Sequence, residues 1–184
     1  MTMTTSHTSC SCCGDLLSKR YDRRRFLQIA GATGLMAAMP LPLLAATGNY
    51  EAMVVNCMDP RFPEHMRAYT TQRNLTGKFS HFVVAGAAIG IVAPAFKDWH
   101  KTFWDNLGAS IQLHNIPKVI VVNHRDCGGA KIAYGEAKVA NPAVETETHR
   151  ASLAEFRKQA GERHPKLAVE TGLMSIDGKV EALG

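Results

Sequence analysis

The sequence predicts a fold of the α/β class, with a parallel sheet covered by helices on both faces, and three observations carry that expectation. Four short apolar segments recur along the chain, each of strand length and lacking the polar alternation of a half-exposed sheet. Helical periodicity fills the intervals between them, as right-handed crossovers between parallel strands require. A length of 184 residues with 46% hydrophobic content suits one sizeable core.

The elements follow in order. Residues Ala52 to Asn56, reading AMVVN, form the first strand, and Phe79 to Val84 the second. Trp99, Phe103, Leu107, Ile111 and His114 recur at steps of four and three, which predicts a helix that Pro117 ends. The third strand, Val119 to Asn123, is the most β-branched. Glu145 to Arg163 reads as a second helix, with Leu153 and Phe156 on an otherwise charged surface. Leu167 to Ser175 is the fourth strand, and the Asp177-Gly178 pair beyond it predicts a terminal hairpin. No internal repeat is visible.

Residues 1–46 are set apart from the domain expected over residues 47–184. Asp22-Arg23-Arg24-Arg25-Phe26-Leu27-Gln28 stands directly before an alanine-rich apolar run from Ile29 to Ala46. This resembles a twin-arginine export signal, departing from the usual pattern at Asp22 and Gln28. Gly31, Gly34, Pro40 and Pro42 make the run a poor spanning helix, so a cleaved signal is favoured over an anchor, with the cut after Leu44-Ala45-Ala46. The resemblance implies a protein exported already folded, to the periplasm or its equivalent. Cys10, Cys12 and Cys13 sit with His7 in the leader and would leave with it.

Of the formal net charge of +5, the part before residue 47 contributes +3, from five basic and two acidic side chains. The small remainder gives no basis for nucleic-acid binding, and the aromatics are not interleaved with basic residues as a stacking surface needs.

Reactive groups in parallel sheets gather at the carboxyl ends of the strands. Both cysteines of the expected mature domain are there: Cys57 ends the first strand, and His124 with Cys127 follows the third in VIVVNHRDCGG. In an oxidising compartment the two sulfurs can form a disulfide or be held as thiolates by a metal inserted before export. If the first and third strands are neighbours, two sulfurs and one imidazole converge. Those are zinc ligands, and three protein ligands leave a fourth tetrahedral position open, the catalytic arrangement. Gly128-Gly129 lets the backbone approach such an ion closely.

Cys57-x-Asp59-x-Arg61 followed by His124-x-x-Cys127-Gly128-Gly129 resembles the β-class carbonic anhydrases, and the resemblance extends over residues 50–184. It implies a four-stranded parallel α/β core with an added C-terminal strand, assembled at least as a homodimer. It also implies zinc held by Cys57, His124 and Cys127, with Asp59 and Arg61 as a carboxylate–guanidinium dyad beside it. Two thiolates and a neutral imidazole leave zinc able to lower the pKa of a bound water toward about 7, which suits reversible hydration of carbon dioxide to bicarbonate. Arg61 would keep Asp59 ionised and away from the metal, and Pro60 stiffens the turn between them.

One stretch departs from the family. Where relatives run Arg-Asn-Ala-Gly after the second strand, this chain reads Val83-Val84-Ala85-Gly86-Ala87. A drier pocket suits carbonyl sulfide or carbon disulfide, so hydrolysis of those is the alternative on the same fold. A zinc-binding or redox-sensing protein without turnover is the alternative from another class. The His-Arg-Asp triplet at 124–126 matches a kinase catalytic loop only by coincidence, with no glycine-rich loop or Asp-Phe-Gly beside it. Gly86 and Gly90 read as a close-packing pair rather than a dinucleotide site. His65, His81, His100, His114, His149 and His164 read as surface or half-buried, any one of them a candidate to carry protons to buffer. Asp126 is expected to bond locally or to Arg125, with no catalytic role.

Overall fold

The computed structural model describes residues 48–183, so the expected export signal, its cysteines and the expected cleavage point lie outside the described residues. The expected class is observed. Strands β1 (Ala52–Asn56), β2 (Phe79–Val83), β3 (Lys118–His124), β4 (Ala168–Met174) and β5 (Val180–Ala182) form one sheet in the order β2-β1-β3-β4-β5. The first four run parallel and β5 returns antiparallel to β4, Gly172 facing Ala182. The Asp177-Gly178 turn closes that hairpin, with Gly178 at φ 85°, where a side chain is strained.

The helices are α1 (Pro63–Gln72), α2 (Ala88–Val92), α3 (Lys97–His114), α4 (Gly128–Tyr134) and α5 (Pro142–Arg163). Helix α3 ends where Asn115 turns left-handed at φ 48°, two residues before Pro117. Helix α5 starts three residues earlier than the charge pattern indicates, because Asn141 caps it by accepting from the N–H groups of Ala143 and Val144, both at 3.1 Å, and Pro142 suits its first position. Among the described residues no helix is long and apolar enough to cross a membrane.

Every residue of β1 is buried, and β3 is buried from Val119 to His124. Alternate side chains therefore feed two cores. Met53, Val55, Val119 and Val121 pack against Phe103, Leu107, Leu153 and Phe156, whereas Val54, Ile120 and Val122 pack against Phe62 and Met66. Strand β2 is at the sheet edge and only partly buried. Since β1 and β3 are adjacent and in register, Asn56 opposite Val122, the ends carrying Cys57 and His124 arrive side by side.

Candidate metal centre

The Sγ atoms of Cys57 and Cys127 and a ring nitrogen of His124 lie within 4.8 Å of one another, and all three residues are buried. Cys57 leaves the end of β1, His124 closes β3, and Cys127 caps the start of α4. No disulfide joins the sulfurs.

The imidazole is oriented by its neighbours. Nδ1 of His124 lies 2.8 Å from the carbonyl oxygen of Arg125, which can only accept, so Nδ1 carries the hydrogen and the lone pair belongs to Nε2. That Nε2 is buried without a hydrogen-bond partner. A buried lone pair beside two thiols is costly unless a cation meets it, and this donor set fits zinc. Phe62 lies against the ring with centroids 4.2 Å apart and the planes tilted by 34°.

The two sulfurs are tuned in opposite senses. Hydrogen bonding from Cys127, helped by His124 and the Gly86 N–H at 3.2 Å, lowers the Cys57 pKa to about 4 against the effect of burial. The resulting thiolate, together with burial, pushes Cys127 up. Burial would lower the His124 pKa, but the Cys57 thiolate and the Arg125 carbonyl outweigh it, and the net shift is upward.

Asp59 and Arg61 form the fork that their spacing predicts. Nε and Nη2 of Arg61 donate to Oδ1 and Oδ2 of Asp59 at 3.0 and 2.8 Å. Arg61 thereby lowers the Asp59 pKa to about 2. The carboxylate is not part of the sulfur–imidazole cluster. Asp126 does not pair with Arg125 as expected. It reaches across the two motifs, its Oδ2 2.7 Å from Arg61 Nη1 and its carbonyl 2.9 Å from Nη2. Arg125 instead meets Glu145, Thr146 and Glu181. The reason lies in the backbone, since Asp126 sits at φ 54° and its N–H is held by Glu145 Oε1 at 2.6 Å.

The glycines also act differently than expected. A Cβ on Gly129 would stand 2.8 Å from the Gly86 nitrogen, while one on Gly128 would meet open space. The close approach is thus between α4 and the loop after β2, whose Gly86 N–H reaches Cys57. Gly90 is packed against the Ala85 carbonyl, as the Gly86/Gly90 spacing predicts.

A buttress on α5 was not foreseen. His149 is fully buried, not a surface residue, because Glu145, His149 and Ser152 turn inward together. Asn123 donates to Nδ1 of His149 at 3.0 Å and accepts from the Ala88 N–H at 3.0 Å, tying the end of β3 to the start of α2. The signal was present as a polar i, i+4, i+7 stripe on α5, adjacent to no obvious partner in sequence.

Two cavities flank the sulfurs. On the Cys57 side a space of about 480 Å³ has mainly apolar walls, including Met58, Met66, Phe79 and Val83, with Arg67 and His81 at its polar points. On the Cys127 side a space of about 240 Å³ is lined by Asp126, Lys131 and Glu136. The departure at Val83 therefore shapes the larger cavity, and Val83 and Met58 are exposed beside it.

No protein-family model matches the chain. A protein from Rickettsia bellii (strain RML369-C), described as uncharacterized, is 31% identical over 140 residues, covering 76% of this chain and 85% of the relative. An uncharacterized protein from Rickettsia conorii (strain Malish 7) is 30% identical over 140 residues, covering 76% and 75%. Among solved structures, the β-carbonic anhydrase CafA of Aspergillus fumigatus superposes with a TM-score of 0.52 at 17% identity, over 87% of this chain and 88% of that one. The β-carbonic anhydrase CcaA superposes with a TM-score of 0.53 at 12% identity, over 86% and 93%. The likeness to these two structures is one of fold.

Proposed function

Because the chain belongs to the family of the two Rickettsia proteins and carries the fold of the β-carbonic anhydrases, we propose that it is a zinc-dependent carbonic anhydrase interconverting carbon dioxide and bicarbonate. One observation carries the reading: two thiols and an imidazole, mutually within 4.8 Å at the ends of adjacent parallel strands, with the imidazole Nε2 buried and unpartnered. Cys57, His124 and Cys127 are the residues that would hold zinc. When bound, zinc supplies the Lewis acidity that makes water nucleophilic near neutral pH.

The remaining work belongs to the chain. The Gly86 N–H and the Arg125 carbonyl fix Cys57 and His124 in place. Asp59, kept ionised by Arg61, accepts a hydrogen bond from the attacking oxygen without taking its proton, and so aims the lone pair at the carbon. Arg61 keeps both carboxylate oxygens engaged and so keeps Asp59 from closing the open position. Assembly as a homodimer or larger homo-oligomer, export through residues 1–46 and a catalytic domain over 47–184 complete the proposal.

The apolar wall of the cavity that reaches Cys57 favours a second reading, hydrolysis of carbonyl sulfide or carbon disulfide. Metal analysis of the purified protein with stopped-flow assays, before and after chelation, tests both. Stoichiometric zinc and chelator-sensitive turnover of carbon dioxide are expected. Turnover of sulfur substrates alone supports the second reading; bound zinc without turnover overturns both, and a folded protein that takes up no zinc removes their premise.

A further inference from the structure

Hydration of carbon dioxide to bicarbonate releases a proton, and that proton has to leave the site. The space that leads from Cys57 to solvent is the cavity bounded by β1, β2 and α1, and the ionisable groups lining it are Cys57, Arg67 and His81. Arginine does not give up its proton at any working pH, so it cannot accept another. That leaves one side chain in the cavity whose ordinary titration range is near neutral.

The hydrogen bonds around His81 fix its tautomer. Nδ2 of Asn56 donates to the Cys57 carbonyl at 2.8 Å, which settles which end of the amide faces away. Oδ1 of Asn56 therefore points to Nε2 of His81, at 2.5 Å, and can only accept. Nε2 must carry the hydrogen, and the basic lone pair is on Nδ1. Asn56 is buried, whereas His81 is on the edge strand, exposed at the cavity mouth. The groups facing the ring from its surroundings are Asn56 from β1, Phe79 from its own strand with its ring centroid at 5.5 Å, and the cation Arg67 from α1 across the cavity. Partial burial lowers its pKa, which keeps the ring neutral and able to accept at neutral pH.

Resting on the carbonic anhydrase reading, we infer that His81 is the proton acceptor of this site, receiving through Nδ1 the proton that each hydration releases across the cavity. In the balance of the step, an O–H bond of water breaks as its oxygen bonds to the substrate carbon. The proton passes to Nδ1 and then to a solvent base, returning the imidazole to its neutral form, with no change of oxidation state.

Two measurements test the inference. Nitrogen NMR on the metal-free protein is expected to show His81 protonated at Nε2 and bare at Nδ1 at pH 7; an Nδ1-protonated ring overturns the proposal. His81→Gln keeps a donor for Asn56 Oδ1 but cannot carry a proton. In weakly buffered solution it is expected to lower kcat by roughly a hundredfold while leaving kcat/KM near wild type, with recovery on adding imidazole. Equal losses in kcat and kcat/KM without imidazole recovery mean a merely structural role and overturn it, as does an unchanged kcat. A zinc-loaded wild type without hydration activity overturns the functional reading and this one with it. An active wild type with an indifferent His81→Gln variant overturns this one alone.

Discussion

The two faces of the sheet are covered unequally although the central strands are apolar on both. On one side α3, of 18 residues, and α5, of 22, bury Phe103, Trp104, Leu107, Leu153 and Phe156 against β1 and β3. On the other, α1 has 10 residues and contributes Met66, with Phe62 and Leu75 from the turns beside it. Unequal cover is what leaves the cavity of about 480 Å³ next to Cys57. On the proposed function, the thick side would hold the candidate ligands at the strand ends and the thin side would admit reactants, so geometry and access would be provided by different cores.

The largest expected effect breaks the thick side. Phe156 is fully buried and packs its ring against Phe103 at 5.5 Å and Trp104 at 5.7 Å. Phe156→Ala should cost about 3–5 kcal/mol in urea unfolding, by lost transfer energy and a cavity that rigid neighbours cannot fill. Met66→Ala, beside space that already exists, should cost about 2 kcal/mol, the low end for such a truncation. Equal losses at the two positions would dissolve the contrast between the faces.

Next in size is a pH effect confined to the thick side. Burial, with the charge that His124 carries when protonated and that of Arg125, lowers the His149 pKa from the ordinary 6.5 to about 4. The unfolded chain thus binds a proton at this residue between those values while the folded one does not. Stability from the neutral ring is fully present above pH 6.5 and is lost as pH falls toward 4, by roughly 3 kcal/mol in all. Unfolding midpoints measured at intervals from pH 7 to 4 should fall more steeply in wild type than in His149→Gln. Parallel curves would show that the buttress does not titrate in this way.

The same contrast explains what could be read from the residues. Strands β1 and β3 were legible because burial on both faces makes their sequences continuously apolar. Helix α3 was legible because Phe103 and Leu107 repeat at a helical step and are buried, although Trp99 of the same series is exposed and Ile111 and His114 are only partly buried. Helix α1, PEHMRAYTTQ, buries only Met66 and Thr70, too short a stripe to register. Helix α2, AIGIV, is buried nearly throughout and has a strand's composition. In α5 the inward face at Glu145, His149 and Ser152 is polar, the reverse of the usual pattern, so His149 read as surface or half-buried. The convergence of Cys57, His124 and Cys127 was legible because their residue types are narrow, but the pairing of Arg61 with Asp126 joins positions 65 apart and no local pattern encodes it.

The smallest effects sharpen the contrast at the thin side, around Arg61. Its guanidinium grips Asp59 through two nitrogens and Asp126 through two, one of them shared, so a single planar group ties the first motif to the second. Lysine keeps the charge but offers one nitrogen and no fork, so it cannot hold both oxygens of Asp59 and reach Asp126 as well. On the proposed carbonic anhydrase reading, Arg61→Lys should retain zinc, since the sulfurs and His124 are held by other groups, and should lose about 10- to 100-fold in kcat/KM, the range typical of groups that orient a metal site from outside. Asp126→Ala severs only the exposed arm, where screening by water leaves little interaction energy, and should cost less than about tenfold. Zinc content by metal analysis beside the kinetics separates the outcomes. If Arg61→Lys releases zinc, Arg61 maintains the ligand geometry itself; if it keeps zinc and slows turnover, Arg61 governs the orientation of Asp59 on the open side of an ion held from the closed side.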